Sequence, residues 1–248
     1  EINKYANDKN KHLFIGAYYQ IILSHLMGGN WDEVVFYFNQ FKNVSVEVLY
    51  SPQGEREVGT YSSLLLPMLV TNGFYYESED LIKFVENNIK LNDKTPYEIM
   101  QKDGFNYAAG RLYMEKNNYQ KSILYLESVS KIFLDNPSSD TTYFYSAIAS
   151  QTLLEAYYLN GDINKYEKQF KILTGNKPIN YSSFSTPLPQ KYYLIPQEVS
   201  LATAYTVFDY INKKGKRLTD NDRREFVESA DNILKNYRPG EEYKIGIL

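Results

Sequence analysis

The side chains able to do chemistry are few in this sequence, and their spacing assembles no catalytic or metal-binding motif. The two histidines, His12 and His25, stand thirteen residues apart. On one helix they would point about 140° apart, too divergent to grip one metal ion from a single face. The plain reading is a partly exposed polar residue and one at the edge of a core. There is no GxSxG, no HExxH, no glycine-rich phosphate loop and no acidic ladder of calcium-loop spacing. Ser128 and Ser150 lack a base nearby in sequence. Asp80, Glu86, Glu98, Glu115, Glu127 and Glu155 are scattered as solvated or paired surface charge would be. Cysteine is absent, which excludes disulfides, thiolate metal sites and cysteine nucleophiles. The chain therefore reads as a non-enzyme with no cofactor, no metal and no catalytic residue. Only a carboxylate pair brought together by folding would reopen an enzymatic reading.

Charge points the same way. A net charge of -3, from 27 basic and 30 acidic residues, creates no global field for nucleic acid or an anionic membrane. The one dense basic run, Lys213-Lys214-Gly215-Lys216-Arg217, reads as a solvated turn, with contact to an anionic partner as its functional alternative. The longest apolar run, Leu64 to Val70, contains Pro67 and falls far below the roughly 18 residues of a membrane span. No transmembrane segment and no nucleic-acid partner are expected. A first residue Glu1 together with zero cysteines favours an extracytoplasmic home, periplasmic or surface-associated as in an exported bacterial protein, over a cytoplasmic one.

The elements that would carry any site are helices. Asn106 to Val129 reads as two amphipathic helices joined by a tight turn: Ala109, Gly110 and Tyr113 share a stripe before Asn117-Asn118, and Tyr119, Ser122, Ile123, Leu126 and Val129 form one after it. His12 to Met27 is apolar nearly all round and ends at Gly28-Gly29-Asn30, after which Val34, Tyr37, Phe38 and Phe41 line a second helix. Val44 to Tyr50 alternates like a strand and is expected to be an extended connector. Ser51 to Gly54 reads as a turn before a helix from about Arg56 to Val70, kinked or restarted at Pro67. Ser78-Glu79-Asp80 reads as the cap of the next helix, and Thr95-Pro96-Tyr97-Glu98 as a strong helix start. Further on, Ala147, Leu153, Leu154 and Tyr157 precede the stop at Asn160-Gly161, and Ile163, Tyr166, Phe170 and Leu173 answer them.

The turn residues Gly29, Gly73, Asn117 and Gly161 are each 44 residues apart. Small residues on a first helix, an aromatic before the turn and another after it, and Gly161-Asp162 with Phe170 and Pro178 in the last pair resemble the tetratricopeptide repeat. The resemblance implies an all-α fold: an α-solenoid of about five antiparallel helical hairpins in a right-handed superhelix, one domain over 1–248. Its units would be about 12–43, 56–90, 96–134 and 140–173, with a loop at 174–190 and a terminal capping pair at about 196–237. The 44-residue period exceeds the family's 34 and sits nearer other helical solenoids.

The tyrosine content bears on function. Tyr 25, Phe 13 and Trp 1 give roughly twice a usual aromatic share, and tyrosine suits thin helix interfaces where its hydroxyl can reach water. By the resemblance, the chain is a non-catalytic interaction scaffold or adaptor that binds another protein or peptide on the concave face. Groove positions are then Tyr19, Gln20 and Leu23, then Tyr107, Arg111 and Met114, and finally Gln151, Glu155 and Tyr158. Each tyrosine among them could equally be a helix-packing residue. The alternatives are a glycan or small-ligand binder using exposed tyrosines and, further off, a fragment of a peptide-sensing regulator. Apolar end faces would also suit a homo-oligomer or a hetero-complex.

Overall fold

The structure, a computed structural model, describes residues 10–129 and 143–174. The described residues fold into eight helices and no strand: α1 Leu13–Gly28, α2 Trp31–Val48, α3 Pro52–Thr71, α4 Tyr75–Asn88, α5 Pro96–Glu115, α6 Tyr119–Glu127, α7 Tyr143–Leu159 and α8 Ile163–Thr174. The loop at 174–190, the capping pair at 196–237 and the basic run at 213–217 lie outside them, apart from Thr174 itself.

Four of the connections are built alike. Gly29, Gly73, Asn117 and Gly161 are the four described residues with left-handed backbone, at φ 69°, 78°, 55° and 79°. At each, the next residue's N–H reaches back five positions: Asn30 to His25 O at 3.0 Å, Phe74 to Leu69 O at 2.9 Å, Asn118 to Tyr113 O at 2.8 Å and Asp162 to Tyr157 O at 2.8 Å. The left-handed residue's own N–H reaches back three, to Leu26, Val70, Met114 and Tyr158. This is the Schellman arrangement, which satisfies the last carbonyls of a helix and needs a residue that tolerates positive φ. Two residues after each, the next helix begins, and α1 packs on α2, α3 on α4 and α7 on α8 as hairpin pairs.

Other local expectations need correction. Val44 to Val48 is not an extended connector but the last turn of α2. Without a strand to pair with, its backbone is satisfied by continuing the helix, which buries Val44, Ser45 and Val48 beside Phe41 and leaves Val46 outside. Ser51 to Gly54 is no free turn either. Ser51 caps α3 by accepting from the Gly54 N–H at 3.0 Å, and Pro52 takes the first helical position. Pro67 sits inside α3 without ending it. Ser78 lies one turn inside α4, where its hydroxyl donates to Phe74 O at 2.7 Å, because the preceding Schellman turn already positions Phe74 as the cap. α1 is also less enclosed than its composition suggests, with Leu13 and Met27 exposed.

The chain divides into two compact units, Glu1–Leu112 and Tyr113–Leu248. In the first, α1 packs on α2 and α3, and α3 packs on α4. Ile15 and Ile22 of α1, Phe38 and Phe41 of α2, Leu65 and Leu66 of α3, and Leu81 and Ile82 of α4 are fully buried, each contributing about 1.5–3 kcal/mol. Ala108, Ala109 and Leu112 of α5 are buried in the same unit. Lys42 of α2 and Asp80 of α4 form a half-buried ion pair. In the second unit α6 packs on α7 and α7 on α8, around Leu126, Leu154 and Tyr166. There Glu127 of α6 accepts from the Tyr157 hydroxyl at 2.8 Å and from Lys165 Nζ at 2.9 Å, tying three helices through one carboxylate.

Candidate binding site

The first unit carries a cleft of about 620 Å³ between α3, the non-helical linker 89–95 and the first turns of α5. The α3 wall is formed by Pro52, Glu55, Arg56, Gly59 and Thr60 at helical spacing, with Glu57 beside them. From α5 come Tyr97, Glu98, Gln101 and Lys102, and from the linker Ile89, Lys90, Leu91 and Asn92. A Cβ at Gly59 would stand 3.4 Å from Ile89 and 3.6 Å from Leu91, so the linker's apolar side chains lie directly on the helix there.

The α5 side is held by local chemistry. The Thr95 N–H donates to Glu98 Oε2 at 3.0 Å while the Glu98 N–H donates to Thr95 Oγ1 at 3.2 Å, a reciprocal capping box with Pro96 at the first helical position. That box fixes the turn from which Tyr97 projects. Lys102 donates to Asp93 at 2.7 Å, and this bond and charge, with Lys90 adding to them, hold the exposed Asp93 carboxyl below the usual carboxylate range. Deeper, the Thr60 hydroxyl donates to Gln101 Oε1 at a long 3.4 Å, and Gln101 Nε2 is buried with no acceptor.

Beside the cleft stands a tyrosine cluster. The rings of Tyr19 on α1 and Tyr61 on α3 are 5.4 Å apart and tilted by 40°. Tyr61 fits there because α1 offers Gly16, where a Cβ would lie 2.8 Å from the Tyr61 hydroxyl. Burial pushes the Tyr19 hydroxyl pKa up, and the Tyr61 and Tyr97 hydroxyls push it further. Tyr97, 54% exposed, stands on the cleft wall and acts on Tyr19 only through its charge.

Of the groove positions expected from sequence in the first unit, Tyr19 is half-buried in the cluster, Leu23 is half-buried and Gln20 is exposed. Tyr107 and Arg111 are half-buried on α5 and already engaged with neighbouring groups. None of these five lines the cleft. In the second unit Met114, Glu155 and Tyr158 are half-buried, the Tyr158 ring lies 5.8 Å from that of Tyr166, and Gln151 is on α7. The residues that sequence reasoning missed are Arg56, Thr60, Tyr61, Tyr97 as a wall residue, and Gln101. The spacing of Arg56, Gly59 and Thr60 marks one face of a helix, but Gln101, 41 residues from Thr60, meets them only through folding.

Of the histidines, His12 makes an exposed 2.8 Å hydrogen bond through Nε2 with Gln53 Nε2, and the His25 ring stacks on Tyr37 at 5.3 Å. Among the described residues no three His, Asp or Glu side chains are grouped to hold a metal ion, and no helix is long and apolar enough to cross a membrane. No family model, no curated protein and no solved structure matches this chain.

Proposed function

We propose that the chain is a non-catalytic interaction scaffold, a tetratricopeptide-like array of helical hairpins whose first helices hold a partner protein or peptide. The observation that carries this reading is the set of four turns, 44 residues apart, each with one left-handed residue and the same pair of backbone hydrogen bonds. Turns built alike at one period are what a repeated hairpin leaves behind. A hairpin cannot bury its apolar stripe alone, so stacking supplies the core and leaves a surface for binding. In the first unit that surface is assigned to Tyr19, Gln20, Leu23, Tyr107 and Arg111. In the second it is assigned to Met114, Gln151, Glu155 and Tyr158.

The test is affinity capture on the immobilised chain, repeated with Tyr107, Arg111 and Tyr158 each replaced by alanine after circular dichroism has shown unchanged helicity. Interface anchors of this kind typically carry about 2 kcal/mol or more each, about thirtyfold in affinity. One protein retained by the wild type and lost by the triple variant supports the assignment. Retention that survives all three changes refutes it.

A further inference from the structure

We propose that the cleft between α3 and α5 is a separate binding site for a neutral polyhydroxylated ligand, a saccharide, gripped by Gln101, Arg56 and Glu57 and stacked on Tyr97. It shares no residue with the partner surface above, and its size falls within the roughly 300–1,000 Å³ of small-ligand sites.

The charge of the lining decides the ligand class first. Arg56, Lys90 and Lys102 are matched by Glu55, Glu57 and Glu98, so the cleft has no net formal charge to attract a phosphate or a polyanion. Two of the six are already committed within the wall, Lys102 to Asp93 and Glu98 to the capping box. The side chains of Arg56, Lys90, Glu55 and Glu57 form no hydrogen bond or close ion pair with one another or with any other described residue, Lys90 acting on Asp93 only through its charge. A ligand that fills this space must accept hydrogen bonds from one side and donate them to the other while carrying no charge itself. A hydroxyl does both.

Gln101 makes the demand specific. Its buried Nε2 has no acceptor, an unfavourable state until one arrives. A ligand hydroxyl accepting from Nε2 keeps its own proton free for a carboxylate such as Glu57. The apolar side chains of Ile89 and Leu91, packed on Gly59, and the Tyr97 ring offer C–H and π surface, which suits the apolar face of a pyranose. Because the capping box fixes the turn carrying Tyr97, little backbone freedom is lost on binding.

The experiment is saturation-transfer NMR and calorimetry on the full chain with maltotetraose, chitotetraose, mannotetraose and galactotetraose as probes, alongside inorganic phosphate and a tetra-alanine peptide. The expected result is transfer to the ring protons of at least one saccharide, none to the peptide, and no heat with phosphate. Tyr97→Ala and Gln101→Met should each weaken that saccharide at least tenfold, while Tyr97→Phe, which keeps the ring, binds within about threefold of wild type. Circular dichroism and the melting temperature check that each variant is folded. Silence from all four saccharides overturns the proposal, as does binding of phosphate or peptide at this cleft, or saccharide binding that Tyr97→Ala and Gln101→Met leave unchanged.

Discussion

Lys121 on α6 donates to the Tyr113 hydroxyl at 2.6 Å, and its ammonium stands 4.2 Å from the centre of the same ring. Forty-four residues further on, Lys165 takes the equivalent place, 5.4 Å from the ring centre of Tyr157. Other side-chain contacts recur at the same period. His25 stacks on Tyr37 at 5.3 Å, and Tyr113, two periods later, stacks on Tyr125 at 5.6 Å. At the position between, Leu69 and Leu81 are both fully buried. The turn chemistry and these side chains packed behind it therefore keep one 44-residue register.

The Tyr157 hydroxyl gives the second unit an alkaline limit. Burial first, and then the Glu127 carboxylate it donates to, raise its pKa well above the ordinary tyrosine value. A folded-state pKa above the unfolded one means stability is intact below the unfolded value, about 10, and is lost as pH rises beyond it towards the folded value. Lys165, raised mainly by its hydrogen bond to Glu127, shifts in the same sense. Urea unfolding followed from pH 7 to 11 should show stability falling above about pH 10, and Tyr157→Phe should flatten that fall. At pH 7 the same variant should lose about 1–3 kcal/mol, because a charged acceptor loses a donor.

How much of this was legible in sequence depended on how local the cause is. The four turns could be read because a positive φ admits few residue types, and Gly or Asn stood at each. The Thr95 cap could be read because both halves of the box lie within four residues. Val44 to Tyr50 was misread because its alternation is equally a helical stripe, and only packing beside Phe41 decides between them. Ser78 was misread as a cap because its own hydroxyl fits the role, whereas the Schellman turn ahead of it had already set the helix start at Tyr75. The cleft could not be read at all: Thr60 and Gln101 come from different hairpins, and Gly59 gives no sign in sequence that Ile89 and Leu91 rest on it.

The half-buried Lys42–Asp80 pair links α2 to α4 across neighbouring hairpins. A double-mutant cycle with Lys42→Met and Asp80→Asn should give a coupling energy of about 0.5–1 kcal/mol at low salt, shrinking by 1 M sodium chloride. A coupling indistinguishable from zero would mean that the pair does not hold these hairpins together.

Thr95→Ala removes one half of the capping box and should cost about 1 kcal/mol of stability. Because Tyr97 projects from the same turn, hydrogen exchange of the first amides of α5 should quicken well before that of Ala108 and Leu112. Uniform quickening along α5 would contradict a local role for the cap.

The equivalence of the four turns underlies both the proposed array and the surfaces assigned to it, and substitution tests it directly. Gly73 and Gly161 have nothing within 4 Å of where a Cβ would stand, and Gly29 has only ordinary contact with Trp31, so alanine there meets a backbone penalty alone. Equilibrium urea unfolding of Gly29→Ala, Gly73→Ala and Gly161→Ala should show each losing about 1–2 kcal/mol. Asn117→Gly, at φ 55°, should lose nothing or gain up to about 1 kcal/mol, less whatever the Tyr119 hydroxyl contributes by donating to Asn117 Oδ1 at 2.8 Å. Three losses of similar size and no loss at Asn117 are the predicted result. A neutral alanine at any of the three glycines, or a large loss on Asn117→Gly, would contradict four turns of one kind.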